Sequence, residues 1–286
     1  MPELPEVETV KRGLAPVMEG AVFAHVEMHR PDLRFPFPAR FQERLTGGRV
    51  EFLDRRGKYL IARLSTGENL IMHLGMSGRF TIAERSKNQP GAFTTVQKCN
   101  PAHDHVVFHV ESDKRQVIIY NDPRRFGFMD IVNAGDLETC KHFKAMGPEP
   151  LGNTFTSNAL NISLKGRLSP VKAALLDQRV VAGLGNIYAC EALYRARVSP
   201  RRKAASVCGI RGERLHGAIL SVLRDAIAAG GSTLRDFAGA GGDSGYFQHR
   251  FDVYGREGEP CLSCGGTISR IIQSGRSTFF CGHCQR

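Results

Sequence analysis

Four cysteines near the C-terminus have the spacing of a metal site. Cys261 and Cys264 form one Cys-x-x-Cys pair, and Cys281 and Cys284 form a second pair after a spacer of sixteen residues. Each pair can aim two thiolates at one ion, and four thiolates suit tetrahedral Zn²⁺. Because protein would fill all four positions, the spacing predicts one structural zinc ion. The alternative is two disulfides, which the reducing interior of a cell disfavours.

The spacer between the two pairs, GGTISRIIQSGRSTFF, is typical of a basic β-hairpin. It alternates polar with apolar residues and carries Arg270 and Arg276. A hairpin stapled by zinc suits contacts to phosphate groups. The alternative is a zinc ribbon that only caps a domain.

The N-terminal sequence MPELPEVETV is unusual for a segment that is ordinarily frayed. Pro5, Glu6 and Glu8 fit the start of a helix, because proline suits the first turn and carboxylates complement the positive end of the helix dipole. Pro2 and Glu3 precede the helix and have no such explanation. The terminus is therefore either a simple helix start or a feature that the protein uses.

Three loops contain residues that suit nucleic acid. In DPRRFG, residues 122–127, two arginines precede an aromatic side chain that could enter a duplex. The alternative is a salt-bridged turn with Phe126 in the core. Met76 in HLGMSG is either a second inserted side chain or a core residue. Residues 183–186, GLGN, lead into a helix whose free N–H groups suit a phosphate, and the alternative is ordinary capping.

Further polar residues accompany the apolar runs. Lys58 lies in RRGKYL, a basic turn of the kind that is usually solvated. His73, His103 and His105 lie on or beside predicted strands, but their spacing does not support a metal site. Phosphate contacts or structural hydrogen bonds suit these histidines better.

The elements that must position these residues change along the chain. Short β-rich runs separated by turns fill much of residues 50–133 and predict an antiparallel sandwich or a flattened barrel. The stretch 145–155 is rich in glycine and proline and predicts a linker. Helices are predicted after it. A long loop is expected at 84–102, a flexible stretch at 238–246, and helices are expected at the N-terminus, in 38–46, from Pro170, from 185–186 and in 210–229.

The composition favours a polyanionic partner. The chain of 286 residues is long enough for two domains and has a net charge of +11. Residues 1–150 hold 21 Lys and Arg against 19 Asp and Glu, whereas residues 151–286 hold 18 against 9. A basic half suggests nucleic acid, and the alternative is a basic surface without a partner. We see no secretory signal or membrane-length apolar run and expect a soluble intracellular protein.

These motifs occur together in one known family. The sequence closely resembles bacterial formamidopyrimidine-DNA glycosylase over nearly its whole length. The motifs that carry the resemblance are PELPEVE, RRGKYL, HLGMSG, HDHV, DPRRFG, GPEPL, GLGNIYA, GGSTLRDF, GYF, VYGREGEPC and RSTFFC. The resemblance implies a base-excision-repair enzyme that removes oxidised purines, such as 8-oxoguanine or formamidopyrimidines opposite cytosine. It also implies cleavage of the abasic site by β,δ-elimination.

The resemblance also assigns roles to single residues. After removal of Met1, Pro2 is the nucleophile and forms a Schiff base, and Glu3 is the acid/base group beside the sugar. Lys58 is a proton donor in β-elimination, and Arg276 grips phosphate and is linked to δ-elimination. The implied DNA-binding residues are Met76, His103, Arg124, Phe126, Arg167, Lys172 and Asn186.

The fold implied by the resemblance is α+β. An N-terminal β-sandwich with flanking helices precedes a helical domain with a helix-two-turn-helix and the four-cysteine zinc-finger β-hairpin. We expect the β-sandwich domain at 1–135, a linker at 136–156, the helical domain at 157–250 and the zinc finger at 251–286. The protein is expected to act as a monomer on damaged double-stranded DNA in the cytoplasm, in association with the nucleoid.

Two other functions stay open. One is an endonuclease VIII-like glycosylase for oxidised pyrimidines, and the other is a non-catalytic zinc-dependent DNA-binding protein. Two stretches also depart from the family pattern. The loop at 84–102 is longer than in compact members, and 238–245 is very rich in glycine where the family closes a loop over the flipped base.

Overall fold

The computed structural model describes residues 1–85, 93–95, 99–111, 116–232 and 247–286. Much of the predicted loop 84–102, and all of the glycine-rich stretch 238–245, lie outside these residues. Within the described part of the chain, no helix combines the length and the apolar character that a membrane span requires.

The chain divides into two compact units. The first comprises Met1–Lys144 with a segment that begins at Gly230, and the second comprises Ala145–Ala229 with the C-terminal segment that ends at Arg286. The linker expected at 136–156 therefore overlaps the end of the first unit, where the rings of His142 and Phe143 pack beside Tyr59. The four domain boundaries expected from the sequence stay predictions.

The first unit contains two antiparallel sheets. One has five strands in the order β1-β7-β8-β5-β6, and the other has four strands in the order β2-β3-β4-β9. Their strands are β1 Val22–Met28, β2 Val50–Arg56, β3 Tyr59–Leu64, β4 Glu68–His73, β5 Arg79–Arg85, β6 Phe93–Thr95, β7 Asp104–Glu111, β8 Gln116–Asn121 and β9 Phe128–Asn133.

The two sheets share one apolar core, as expected for a sandwich. Phe23 and Phe108 come from the larger sheet, Leu53 and Leu70 come from the smaller one, and all four belong to a single buried cluster. Alternation along each strand sends these side chains inward and leaves polar neighbours at the surface. The predicted β-sandwich is confirmed.

One prediction within this unit is wrong in part. Residues at the start and in the middle of the segment 84–102, which the sequence predicted as loop, form strands: β5 continues to Arg85, and Arg85 pairs with Phe93 in β6. The short run FTT is aromatic and β-branched, which suits a strand, but a run of three residues is too short to show periodicity.

Two helices flank the sandwich. Helix α1 spans Leu4–Met18 and buries Val7, Val10 and Leu14 along one face. This spacing of three and four residues is the periodicity that predicted the helix. Helix α2 spans Phe41–Leu45, inside the predicted range 38–46.

The second unit is helical and ends in a β-hairpin. Helices α5 and α6 begin where the sequence predicted, and α3 is a further helix that the sequence did not single out. The elements are α3 Ser157–Leu164, α4 Val171–Leu176, α5 Asn186–Arg195, α6 Ile210–Ala228, β10 Ile268–Gln273 and β11 Arg276–Cys281.

A buried carboxylate holds the chain before the hairpin. Glu191 of α5 is fully buried, and its carboxylate accepts backbone N–H bonds from Asp252, Val253 and Tyr254 at 2.9, 3.0 and 2.8 Å. Burial raises the pKa of Glu191, although these three N–H donors act in the opposite direction. The helical core and the segment leading to the cysteines are therefore fixed to each other.

Candidate functional site

The N-terminal turn of the first unit is buried and fixed. Pro2 is buried, and Glu3 and Glu6 expose only 3% and 2% of their surfaces. The backbone N–H of Glu3 donates to Glu6 Oε2 at 2.8 Å, and the reciprocal bond from the Glu6 N–H to the Glu3 carboxylate completes a capping box. This arrangement sets the direction in which Pro2 leaves the helix.

A segment distant in sequence holds the other oxygen of Glu6. Glu6 Oε1 accepts the backbone N–H of Ser232 at 2.8 Å and its hydroxyl at 2.9 Å. Gly231 has φ of +80°, and a Cβ there would lie 3.1 Å from Glu6 Oε1. The position therefore requires glycine. The sequence placed Glu6 at the helix start, with a secondary role in ordering the terminus, and the structure makes it the anchor of the terminus.

Lys58 lies in the turn between β2 and β3. Only 7% of its surface is exposed, so it is not the solvated lysine that a basic turn suggests. Its charge acts on His73 of β4: burial, together with the nearby charges of Lys58 and Arg34, lowers the pKa of His73 to about 4. His73 Nδ1 lies 3.0 Å from the N–H of Gly75 and accepts its hydrogen bond, so the neutral ring carries its proton on Nε2. His73 therefore offers a donor without a charge.

Asp122 joins the two loops of the first unit that the sequence singled out. Its Oδ1 accepts the hydroxyl of Ser77, and its Oδ2 accepts the N–H of Gly127 at 2.8 Å. The hydroxyl of Ser77 accepts in turn the N–H of Arg124 at 3.1 Å. A Cβ on Gly75 would lie 2.2 Å from the carbonyl carbon of Phe126, so the two loops touch through their backbones.

These loops present three predicted DNA-binding side chains. Phe126 is 42% exposed, and the guanidinium of Arg124 lies 4.9 Å from the centre of its ring. Met76 is half-buried on the neighbouring loop. The core position considered for Phe126 is therefore excluded, because a side chain with this exposure is available to a partner.

The histidines near these loops have different surroundings. His103 is half-buried, and its backbone carbonyl accepts the N–H of Asp122 at 3.0 Å. His105 is buried and its Nε2 lies 2.9 Å from the Asp122 carbonyl oxygen. Of these two side chains, only His103 has surface to offer a phosphate, and its phosphate contact stays a prediction.

Lys172 and Asn186 in the second unit bind the same backbone atom. Lys172 Nζ and Asn186 Nδ2 both donate to the carbonyl oxygen of Ser277 at 3.0 Å, and Lys172 Nζ also donates to Thr278 Oγ1 at 2.8 Å. Ser277 follows Arg276, which is exposed at the start of β11. Both donors therefore fix the hairpin beside Arg276.

The burial of Lys172 corrects one interpretation of the sequence. Its surface exposure is 0%, so its ammonium group has no surface to offer a DNA phosphate in this structure. A buried ammonium must find acceptors within the protein, and the hairpin supplies them. We therefore assign Lys172 a positioning role in place of a direct phosphate contact.

Arg167 has an acidic partner inside the second unit. Its Nη1 lies 3.2 Å from Asp177 Oδ2, and its Nε donates to the Ser163 carbonyl at 2.8 Å. Hydrogen bonds from Arg179, helped by Arg167, lower the pKa of Asp177 to about 2. The carboxylate stays charged at neutral pH and holds Arg167 near the loop before α4, and the DNA contact of Arg167 stays a prediction.

The four C-terminal cysteines form a site that fits a metal ion. Their sulfur atoms all lie within 4.8 Å of one another. The Cys264–Cys281 and Cys261–Cys284 sulfurs are 3.5 and 3.9 Å apart, whereas a disulfide bond measures about 2 Å. All four cysteines are free thiols, so two disulfides are excluded. Four soft sulfur ligands are the donor set of structural zinc.

The comparisons with known proteins agree with this arrangement. Three family descriptions match: the formamidopyrimidine-DNA glycosylase N-terminal domain over residues 1–129, the H2TH domain of the same enzyme over 146–238, and a zinc finger found in FPG and IleRS over 258–286. A glycosylase N-terminal domain with a four-cysteine finger defines a zinc-finger DNA glycosylase. The chain belongs to the formamidopyrimidine-DNA glycosylase family.

Whole-length relatives and solved structures support this assignment. Formamidopyrimidine-DNA glycosylases of Ruegeria pomeroyi and Brucella ovis are 59% and 58% identical to the chain, with complete coverage of both partners. The crystal structure of the MutM (Fpg) protein of Thermus thermophilus matches with a TM-score of 0.84 and 40% identity, over 99% of this chain and 98% of that one. A Lactococcus lactis Fpg mutant in complex with DNA containing Fapy-dG matches with a TM-score of 0.86 and 33% identity, over 100% of both chains.

Proposed function

We infer that the chain is a base-excision-repair DNA glycosylase that removes oxidised purines and then cleaves the abasic site as a lyase. The observation that carries this conclusion is the fixed N-terminus, in which Glu6 holds both the Glu3 N–H and Ser232. A protein that only binds DNA has no need of a terminal proline held in this way. The solved complexes of the Lactococcus lactis protein contain Fapy-dG or abasic-site DNA, which are the substrate and intermediate of such a reaction.

Pro2 is the proposed nucleophile. In the chain of 286 residues its nitrogen forms an amide with Met1, so Met1 must be removed first. A free α-amino group has a pKa near 8, whereas that of lysine is about 10.4, so far more of the amine is neutral at pH 7. The nitrogen bonds to the sugar C1′ as the bond to the damaged base breaks. Opening of the sugar ring at C1′ then gives an iminium. This cation accepts the electron pair left when C2′ loses a proton and the 3′ phosphate is expelled, and a second elimination releases the other strand phosphate.

Glu3 and Lys58 are the proposed proton carriers. Glu3 adjoins Pro2 in the chain and is held by the capping box, so its carboxyl group can serve the ring oxygen as the sugar opens. Lys58 is largely shielded from solvent and is the proposed proton donor in β-elimination. Arg276 is exposed beside the fixed Ser277 and is proposed to grip the phosphate that leaves in δ-elimination.

Met76, Arg124 and Phe126 are proposed to fill the space that the extruded base leaves. Phe126 is exposed and fixed through its neighbours, so an aromatic face is available to stack in the duplex. Arg124 is proposed to read the cytosine left behind. Occupying the gap offsets the few kcal/mol that unstacking a base costs.

Phosphate contacts are proposed for His103, Asn186 and Arg276. Asn186 begins α5, so it lies among the N–H groups that a helix start presents to an anion.

One zinc ion is proposed in the four-cysteine site, where it would hold the two Cys-x-x-Cys pairs together. With four protein ligands it would supply no chemistry to the reaction.

We also propose that the protein acts as a monomer in the cytoplasm, in association with the nucleoid.

A panel of end-labelled duplexes tests this function. We expect 8-oxoguanine and formamidopyrimidine opposite cytosine to be excised fastest, with both ends of the one-nucleotide gap bearing phosphate. Faster excision of oxidised pyrimidines would favour the endonuclease VIII-like alternative. Binding without cleavage, by protein that has lost Met1, would favour the non-catalytic alternative.

A further inference from the structure

The second unit contains a basic pocket that the proposed reaction does not use. Its volume is about 490 Å³, and it lies beside the zinc-finger cysteines Cys264 and Cys284. Four arginines line it, and neither an acidic nor an aliphatic side chain contributes to its wall among the described residues. These arginines, which we call the arginine pocket, are Arg197, Arg211, Arg214 and Arg286.

Acidic side chains among the described residues do not neutralise the charge of the arginine pocket. All four arginines are exposed, and none has a side-chain ion pair with a residue in the described part of the chain. Four thiolates around one Zn²⁺ would carry a formal charge of −2, so four guanidinium groups exceed that charge by two. The excess is still one if the C-terminal carboxylate of Arg286 is counted as well. Guanidinium groups gathered in a concave surface raise the local concentration of anions.

The pocket is separate from the proposed phosphate contacts of the same unit. Helix α5 begins at Asn186, which binds Ser277, and ends near Cys261, whose sulfur lies 3.2 Å from the Tyr194 hydroxyl. Ten helical residues span about 15 Å. The six residues of β11, from Arg276 to Cys281, span a similar distance of about 17 Å. Arg276 and the arginine pocket therefore lie at opposite ends of the hairpin.

We propose that the arginine pocket is a second anion site that binds a run of two or more neighbouring phosphate groups. Each guanidinium group can donate two parallel hydrogen bonds to phosphate oxygens. Four such groups offer more donors than a single phosphate group can accept. Among the described residues, the wall has no Phe, Tyr or Trp ring and no aliphatic side chain, so it lacks the hydrophobic anchors that a peptide-binding pocket uses. The phosphate run belongs either to a nucleic-acid backbone away from the lesion or to a free polyphosphate.

Calorimetric titration of the zinc-loaded full chain with inorganic tripolyphosphate tests the free-anion source. Arg211→Gln and Arg214→Gln each remove one guanidinium from the pocket. Arg224→Gln is the matched control, because Arg224 is exposed on the same helix but does not line the pocket. We expect 1:1 binding that each pocket variant weakens about tenfold, while the control leaves it unchanged.

Duplex binding at several salt concentrations tests the backbone source. An undamaged duplex should bind the pocket variants with a salt slope smaller by about 0.9 for each lost phosphate contact, and the control should keep the wild-type slope. Either tripolyphosphate binding or this change in slope, if specific to the pocket variants, supports the site. Absence of both, or an equal loss in Arg224→Gln, overturns it. Excision of 8-oxoguanine is measured in parallel, so a failure of the proposed function is seen separately.

Discussion

Replacing Glu6 with glutamine should damage the reaction more than it damages DNA binding. The carboxylate accepts bonds from the Glu3 N–H, the Ser232 N–H and the Ser232 hydroxyl at 2.8, 2.8 and 2.9 Å. A glutamine amide can keep an oxygen toward only one side, so its NH₂ group must face either the Glu3 N–H or the Ser232 N–H. One charge-assisted bond is then lost and the other two are weakened.

The magnitude follows from burial. Glu6 is 2% exposed, so water cannot replace the lost partner. Loss of a buried charge-assisted bond costs roughly 2–3 kcal/mol in the free energy of unfolding. For a chain of this size that loss lowers Tm by roughly 3–5 °C. A displacement of about 1 Å at the nucleophile can cost roughly 100-fold, so we expect kcat for excision to fall at least about tenfold.

Differential scanning calorimetry and single-turnover excision of 8-oxoguanine measure the two effects of Glu6→Gln. The matched control is Glu51→Gln, since Glu51 is exposed on β2. We expect the Kd for lesion-containing DNA to stay within about threefold of wild type. If Glu6→Gln kept both the Tm and kcat of the control, the inference that Glu6 fixes the N-terminus would be refuted.

Three further predictions concern single side chains. In the folded protein the pKa of His73 is about 4, below its ordinary value of 6.5. The stability that the neutral ring provides is therefore complete above pH 6.5 and is lost as the pH falls toward 4. Denaturant titrations should show a loss of up to about 3 kcal/mol in the free energy of unfolding. Phe126→Ala should weaken stacking in lesion DNA by roughly 1–3 kcal/mol, measured by fluorescence of 2-aminopurine, with folding stability within about 0.5 kcal/mol of wild type. Lys172→Gln should lower the ratio of δ- to β-elimination product at least threefold on sequencing gels, because Ser277 beside Arg276 loses one of its two donors.

Each of these variants has a matched control. His73→Gln should remove the acid sensitivity, whereas His25→Gln should keep it, because His25 is exposed. Phe52→Ala removes a ring that is 61% exposed elsewhere in the first unit. Lys165→Gln removes an exposed lysine at the end of α3. Equal effects in a variant and its control would contradict the corresponding prediction.

Local patterns predicted the elements and the metal site. The Cys-x-x-Cys pairs confine their four ligands to two short segments, so spacing alone predicts the shared ion. Strands such as Tyr59–Leu64 and helices such as Ile210–Ala228 carry apolar periodicity within their own sequences. The family resemblance then supplied roles that periodicity cannot indicate, including that of Pro2.

Contacts between distant residues could not be predicted in this way. Ser232 lies 226 positions from Glu6, and neither neighbourhood contains a signal for the other. Lys172 is a lysine, a residue type that is almost never fully buried without a partner, so its sequence context suggested the surface. Its acceptors on the hairpin lie 105 and 106 positions away. Only the fold brings such pairs together.

Borohydride trapping on a duplex with 8-oxoguanine opposite cytosine, followed by peptide mass mapping, tests the central claim most directly. The account predicts a covalent adduct on the peptide that begins with Pro2, which also shows that Met1 has been removed. Pro2→Gly keeps a terminal amine but loses the secondary amine, and its adduct should be strongly reduced. No adduct, from protein that lacks Met1 and holds zinc, would contradict the Schiff-base mechanism, and an adduct on a lysine peptide would contradict the assignment of Pro2.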